Sequence, residues 1–163
     1  MSITIKNISD YLEKIAPLNQ AEDFDNVGLL IGNETSEVKG VLVTLDTLEE
    51  TIDEAIKKNC NLIISFHPII FSGLKKINGN SYVERVVLKA IQNNIAIYAT
   101  HTALDNSKVG VSAKMCEVLG LTNYSILLPK EDSTIGMGMI GDLPKPMLEN
   151  DFLTFTKKTF KTN

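Results

Sequence analysis

Three short apolar runs constrain this chain more than any other feature. Val38–Leu45, Leu62–Phe66 and Ile95–Thr100 are apolar at almost every position. A run without polar alternation suits a strand buried on both faces, the usual condition in a parallel sheet. Between the runs lie stretches of helical periodicity. Leu48–Lys58 predicts a helix with Thr47 as its N-cap and with Glu49 and Glu50 in its first turn, where the helix dipole favours them. Tyr82–Asn93 places Val83, Val86, Val87, Ala90 and Ile91 on one face. Crossovers of this length join parallel strands.

The flanks are read the same way. Asn7–Ala16 is an expected helix with Ile8, Tyr11, Leu12 and Ile15 on one face, stopped by Pro17. Ala21–Gly32 reads as an Asx-rich turn entering a short strand. His67–Asn80 and His101–Gly110 read as loops, and Val111–Leu119 as a helix closed by Gly120. Tyr124–Leu128 and Thr134–Ile140 are expected strands, and Leu148–Phe160 a final helix. With no repeats or linkers, residues 1–163 read as a single α/β domain with a mainly parallel central sheet flanked by helices.

The chemistry gathers at the ends of the three runs. Asp46 follows the first, His67 the second, and His101 with Asp105 the third. His67 and His101 are the only two histidines in the sequence. Open α/β sheets bind ligands beyond the carboxyl ends of their strands, so parallel strands would bring all four groups to one edge. Imidazole nitrogen and carboxylate oxygen are the donors that zinc, iron, manganese or nickel accept. Asp46 has a second reading as a cap for the helix that follows it. Pro68 favours an extended backbone at His67, which fixes the direction of the imidazole under either reading. Asp46, Asp25 and Asn26 are candidate neighbours of a substrate, the last two otherwise being the polar residues of a structural turn.

Charge and composition remove other classes. A formal net charge of −4 argues against a nucleic-acid partner, which needs a basic face to neutralise phosphates. No apolar run approaches the roughly 18 residues of a membrane span, and the N-terminus lacks the apolar core of a secretory signal. A cytoplasmic protein is therefore expected. Cys60 and Cys116 are too few for a disulfide framework or a zinc motif and read as reduced, buried small hydrophobes. Gly136-Met137-Gly138-Met139-Ile140-Gly141 has the spacing of a dinucleotide loop, but Pro144 and Pro146 forbid the helix that must open from it. Those glycines instead suit a strand that passes close to another backbone.

Taken in order, Phe24-Asp25-Asn26-Val27-Gly28-Leu29, Leu45-Asp46, Phe66-His67-Pro68-Ile69-Ile70-Phe71, His101-Thr102-Ala103-Leu104-Asp105 and the Gly136–Gly141 run resemble the successive motifs of the Nif-three-like family (NGG-one interacting factor three), whose members carry the label GTP cyclohydrolase 1 type 2 homologue. The resemblance covers roughly Ile8 to Phe160 and implies the N-terminal part of a longer protein. It implies a dinuclear divalent-metal centre inside a ring-shaped homohexamer, acting as a metal-dependent hydrolase. Its alternative is a non-catalytic metal-binding or protein-interaction module with the same assembly. His67 matches the second histidine of the family's His-His-Pro motif, Asp105 matches its aspartate ligand, and His101 matches a position close to the metals. Phe66 stands where the first histidine belongs, and the sequence contains no later His-x-x-x-Glu.

Overall fold

A computed structural model describes residues 2–162. The chain divides into two compact units, Met1–Leu104 and Asp105–Asn163.

The first unit is built on a four-stranded sheet in the order β1-β4-β3-β2. Its strands are β1 (Gly28–Ile31), β2 (Val41–Thr44), β3 (Leu62–Ser65) and β4 (Ala96–Ala99). β2, β3 and β4 are mutually parallel, as the crossover lengths require, and β1 runs antiparallel to β4. Strand alternation sends side chains to two cores. Ile63 and Ile97 meet Ile52 and Ala55 of α2 (Glu49–Lys57), and Val86, Val87 and Ala90 of α3 (Tyr82–Gln92). Leu62, Ala96 and Tyr98 meet Ile5, Ile8 and Leu12 of α1 (Ile5–Ile15) on the other face.

Every residue of β4 is buried, as expected for a strand covered on both sides. β2 is different. Val41 and Val43 are 38% and 74% exposed, so the expectation of burial on both faces fails there. The physical reason is its place at the sheet edge: Leu42 packs on the core under α2 and α3, while the α1-side core contains no β2 residue.

Local signals set the helix ends. Thr4 caps α1 by accepting from the Asn7 backbone N–H, while the Asn7 side chain accepts from the Thr4 N–H. That reciprocal box starts the helix two residues earlier than its apolar periodicity suggests. The N-cap of α2 is Leu48 rather than Thr47, which is buried. Here the Thr51 hydroxyl accepts from the Leu48 N–H and donates to the Asp46 carbonyl. Residues 101–105, expected in a loop, form the short helix α4 (His101–Asp105).

The second unit contains α5 (Val111–Leu119), the antiparallel hairpin of β5 (Thr122–Pro129) and β6 (Gly136–Asp142), and α6 (Glu149–Phe160). Gly120 ends α5 in the left-handed conformation. The glycine run lies in β6 and opens no helix. A Cβ at Gly136, where φ is +153°, would fall 2.2 Å from the Leu128 carbonyl oxygen, so close backbone approach explains that glycine. Both cysteines are free; Cys116 is buried and Cys60 only half-buried. No helix of the described residues is long and apolar enough to cross a membrane.

Glu84 ties the loop before α3 to the helix. Its carboxylate accepts from the backbone N–H groups of Asn78 and Asn80 and from the Ser81 hydroxyl, while Ser81 caps the Glu84 N–H. The Asn78 N–H is the largest influence on this carboxyl; with the other donors it outweighs desolvation and lowers the pKa below the ordinary 4.5. A carboxyl lowered on folding contributes stability that is complete above its unfolded pKa and is lost as pH falls through the folded value. Glu84→Gln is therefore expected to lower the melting temperature at pH 7, and the gap from wild type should close as pH drops below 4.5. Thermal melts across that range would check it, and a gap independent of pH would refute the assignment.

Candidate metal and ligand site

Parallel register assembles the site. Thr44, Ser65 and Ala99 lie opposite one another at the ends of β2, β3 and β4. Carried two residues further, the same register aligns Asp46, His67 and His101. The ladder does continue: the Phe66 N–H donates to the Thr44 carbonyl, the His67 N–H to Leu45, and the His101 N–H to Phe66. The three polar strand ends thus form one row along the carboxyl edge of the sheet.

Each imidazole is held by a carboxylate at Nδ1. Asp46 Oδ1 lies 2.7 Å from His67 Nδ1, in a pair about half exposed. Asp25 Oδ1 lies 2.9 Å from His101 Nδ1, where the Asp25 side chain has no exposure and His101 has 19%. An ionised carboxylate only accepts, so Nδ1 carries the proton and a neutral ring keeps its lone pair on Nε2. The two rings stand 5.5 Å apart, centroid to centroid. Phe66 meets both edge-on, at 5.0 Å from His67 and 5.5 Å from His101.

Asp25 does more than a structural turn requires. Its carboxylate also accepts from the Thr102 backbone N–H at 3.0 Å and from the Thr102 hydroxyl. Burial alone would raise this carboxyl. The hydrogen bonds from Thr102, His101 and the Asn26 N–H outweigh that and hold it below the usual range. The neighbouring Asn26 side chain donates to the Ile70 carbonyl, in the loop that follows His67. Two adjacent residues therefore fasten both histidine-bearing segments. His101 itself has φ +23°, a value side-chain-bearing residues rarely adopt. Strain of that kind persists where surrounding bonds over-determine the backbone, and the Asp25 and Phe66 bonds do so here.

The fourth expected donor, Asp105, is half-buried and closes α4, four residues on from His101. It is also the first residue of the second unit. Among the described residues, no group of three or more His, Cys, Asp and Glu side chains is placed to hold a metal ion. The donors fit a divalent metal in kind, since an imidazole anchored through Nδ1 by a carboxylate presents Nε2 as a metal ligand does. In number they fall short of the three or four protein donors of an ordinary site. A cleft of about 500 Å³ lies elsewhere, between Glu37, Lys39, Asn59 and Asn94. Beside the row, an apolar cavity of about 250 Å³ is lined by Leu12, Val43, Ile64, Phe66 and Thr100.

Residues 3–163 match the family model Duf34/NIF3 (NGG1p interacting factor 3). A "GTP cyclohydrolase 1 type 2 homolog" of Clostridium acetobutylicum is 36% identical over 163 residues, covering 99% of this chain and 61% of the relative. The crystal structure of Staphylococcus aureus hypothetical protein SA1388 superposes with a TM-score of 0.92 at 31% identity, over 99% of this chain and 65% of that one. A Bacillus cereus protein related to NIF3 gives a TM-score of 0.75 at 39% identity, over 80% of this chain and 36% of that one. The chain thus spans about three fifths of the length of its Clostridium relative. With a family model matched along nearly its whole length and an α/β fold shared with NIF3-related structures, the chain belongs to the Duf34/NIF3 family.

Proposed function

We propose that the row Asp46, His67 and His101 is part of a divalent-metal centre, and that the complete centre serves a hydrolase. The observation that carries this reading is the pair of imidazoles, 5.5 Å apart, each held at Nδ1 by its own aspartate. His67 and His101 would supply Nε2 donors, with Asp46 and Asp25 fixing the ring tautomer and direction. Asp105 is the carboxylate donor that the family resemblance adds. When bound, the cation supplies Lewis acidity, lowering the pKa of a coordinated water and polarising a substrate oxygen. A purine nucleotide as substrate rests on the relative's name, "GTP cyclohydrolase 1 type 2 homolog".

A second reading, a non-catalytic metal-binding or protein-interaction module assembled as a ring, draws on Phe66. Its ring lies edge-on against both imidazoles, and by the family resemblance it stands where a histidine belongs. Turnover of GTP by the zinc-loaded protein would favour the enzyme, and zinc binding without turnover the module.

Elemental analysis after zinc loading and desalting tests the site itself. His67→Ala and His101→Ala should each remove most of the zinc that the wild type retains, Asp105→Ala should reduce it, and Asp46→Asn should weaken affinity about 10–100-fold. Unchanged zinc in both histidine variants would sink the assignment. Asp25→Ala is expected to act on the fold as well, because it leaves the buried Thr102 N–H without its partner. Its cost should be about 1–3 kcal/mol in urea unfolding; a loss under 0.5 kcal/mol would show that water replaces the carboxylate.

A further inference from the structure

Two phenylalanines beside the histidine row are exposed where apolar rings are ordinarily buried. Phe24 is 66% exposed and Phe71 is 51% exposed. Their centroids lie 6.4 Å apart with the rings tilted by 51°, and Phe71 stands 6.4 Å from the His101 ring. Single exposed apolar residues need no explanation. An adjacent aromatic pair at the rim of a polar site does.

The pair is also held in place. Phe24 precedes Asp25, whose side chain is pulled inward by Thr102 and His101 and whose N–H donates to the Glu22 carbonyl. Phe71 follows Ile70, whose carbonyl accepts from Asn26. The bonds that fix the histidine segments therefore fix the backbone beside each phenylalanine. A backbone fixed beside each ring lowers the entropy a ligand must remove in ordering this surface.

We propose that Phe24 and Phe71 form an aromatic platform that stacks a planar heteroaromatic ring of a small-molecule ligand whose polar part reaches the His67–His101 row. The proposal rests on reading that row as a ligand site. The face of an aromatic ring attracts another planar π-system, and nucleobase stacking on aromatic side chains is sequence-tolerant for the same reason. A flexible aliphatic ligand would gain area but no ring-on-ring geometry. A sugar phosphate alone would gain neither.

Guanosine and ribose 5-phosphate are the probes, titrated calorimetrically into the wild type, the zinc-stripped wild type, and Phe24→Leu, Phe71→Leu and the double variant. Circular dichroism of each variant verifies folding, and leucine preserves the apolar character of both positions. The platform requires guanosine binding that survives zinc removal, and roughly five- to hundredfold weaker binding in the double variant. Ribose 5-phosphate affinity and zinc content should not change in the leucine variants. Wild type that fails to bind guanosine, or equal guanosine affinity in wild type and double variant, overturns the proposal. So does a change of oligomeric state in the leucine variants with guanosine affinity intact, since the rings would then serve a chain–chain contact. Because zinc content is read separately, loss of the platform and loss of the metal reading are distinguishable.

Discussion

The Asp25 carboxylate is the interaction on which the rest of the site depends. It lies out of contact with solvent and receives the Thr102 N–H, the Thr102 hydroxyl, His101 Nδ1 and the Asn26 N–H. A buried carboxylate is costly unless donors satisfy it, and this one is satisfied by the start of the helix that carries His101. That arrangement holds a histidine in a backbone conformation it would otherwise leave. Asn26 then extends the same loop to Ile70. One turn between α1 and β1 thereby sets the geometry of two segments far from it in sequence.

Phe66 touches both histidines of the row. Its neighbours in the row are imidazoles backed by carboxylates. Phenylalanine has no lone pair to offer, and its ring edge contacts both histidines. Such contacts restrict imidazole rotation while adding apolar surface to the polar row. The result is a pair of imidazoles oriented from two sides, by a carboxylate at Nδ1 and by the Phe66 ring.

Much of the fold was legible because its signals are local. The alternation of apolar runs with helical periodicity identified the parallel strands, and the prolines after the glycine run excluded a dinucleotide loop. The placing of Asp46, His67 and His101 at one sheet edge followed from those elements. Other features depend on relations that sequence spacing does not encode. Strand order puts β2 at the edge, and nothing within Val38–Leu45 distinguishes an edge strand from a central one. The five residues of α4 are too few to show a helical period. Asp25 reaches His101 across 76 positions, so its role could be suspected only from the polar turn it sits in. Ser81-Tyr82-Val83-Glu84 did carry a readable signal, the Ser-x-x-Glu pattern of a helix start.

The exposed valines of β2 have a consequence for solubility. An edge strand offers unpaired N–H and C=O groups to any extended chain that meets it, and outward valines make that encounter more favourable. The paired part of β2 is only four residues long, which limits the hydrogen bonds an intruding strand could make. Asp46 ends the apolar run with a charge, the residue type that guards aggregation-prone strands. The aspartate that orients His67 thus has a second occupation as a gatekeeper.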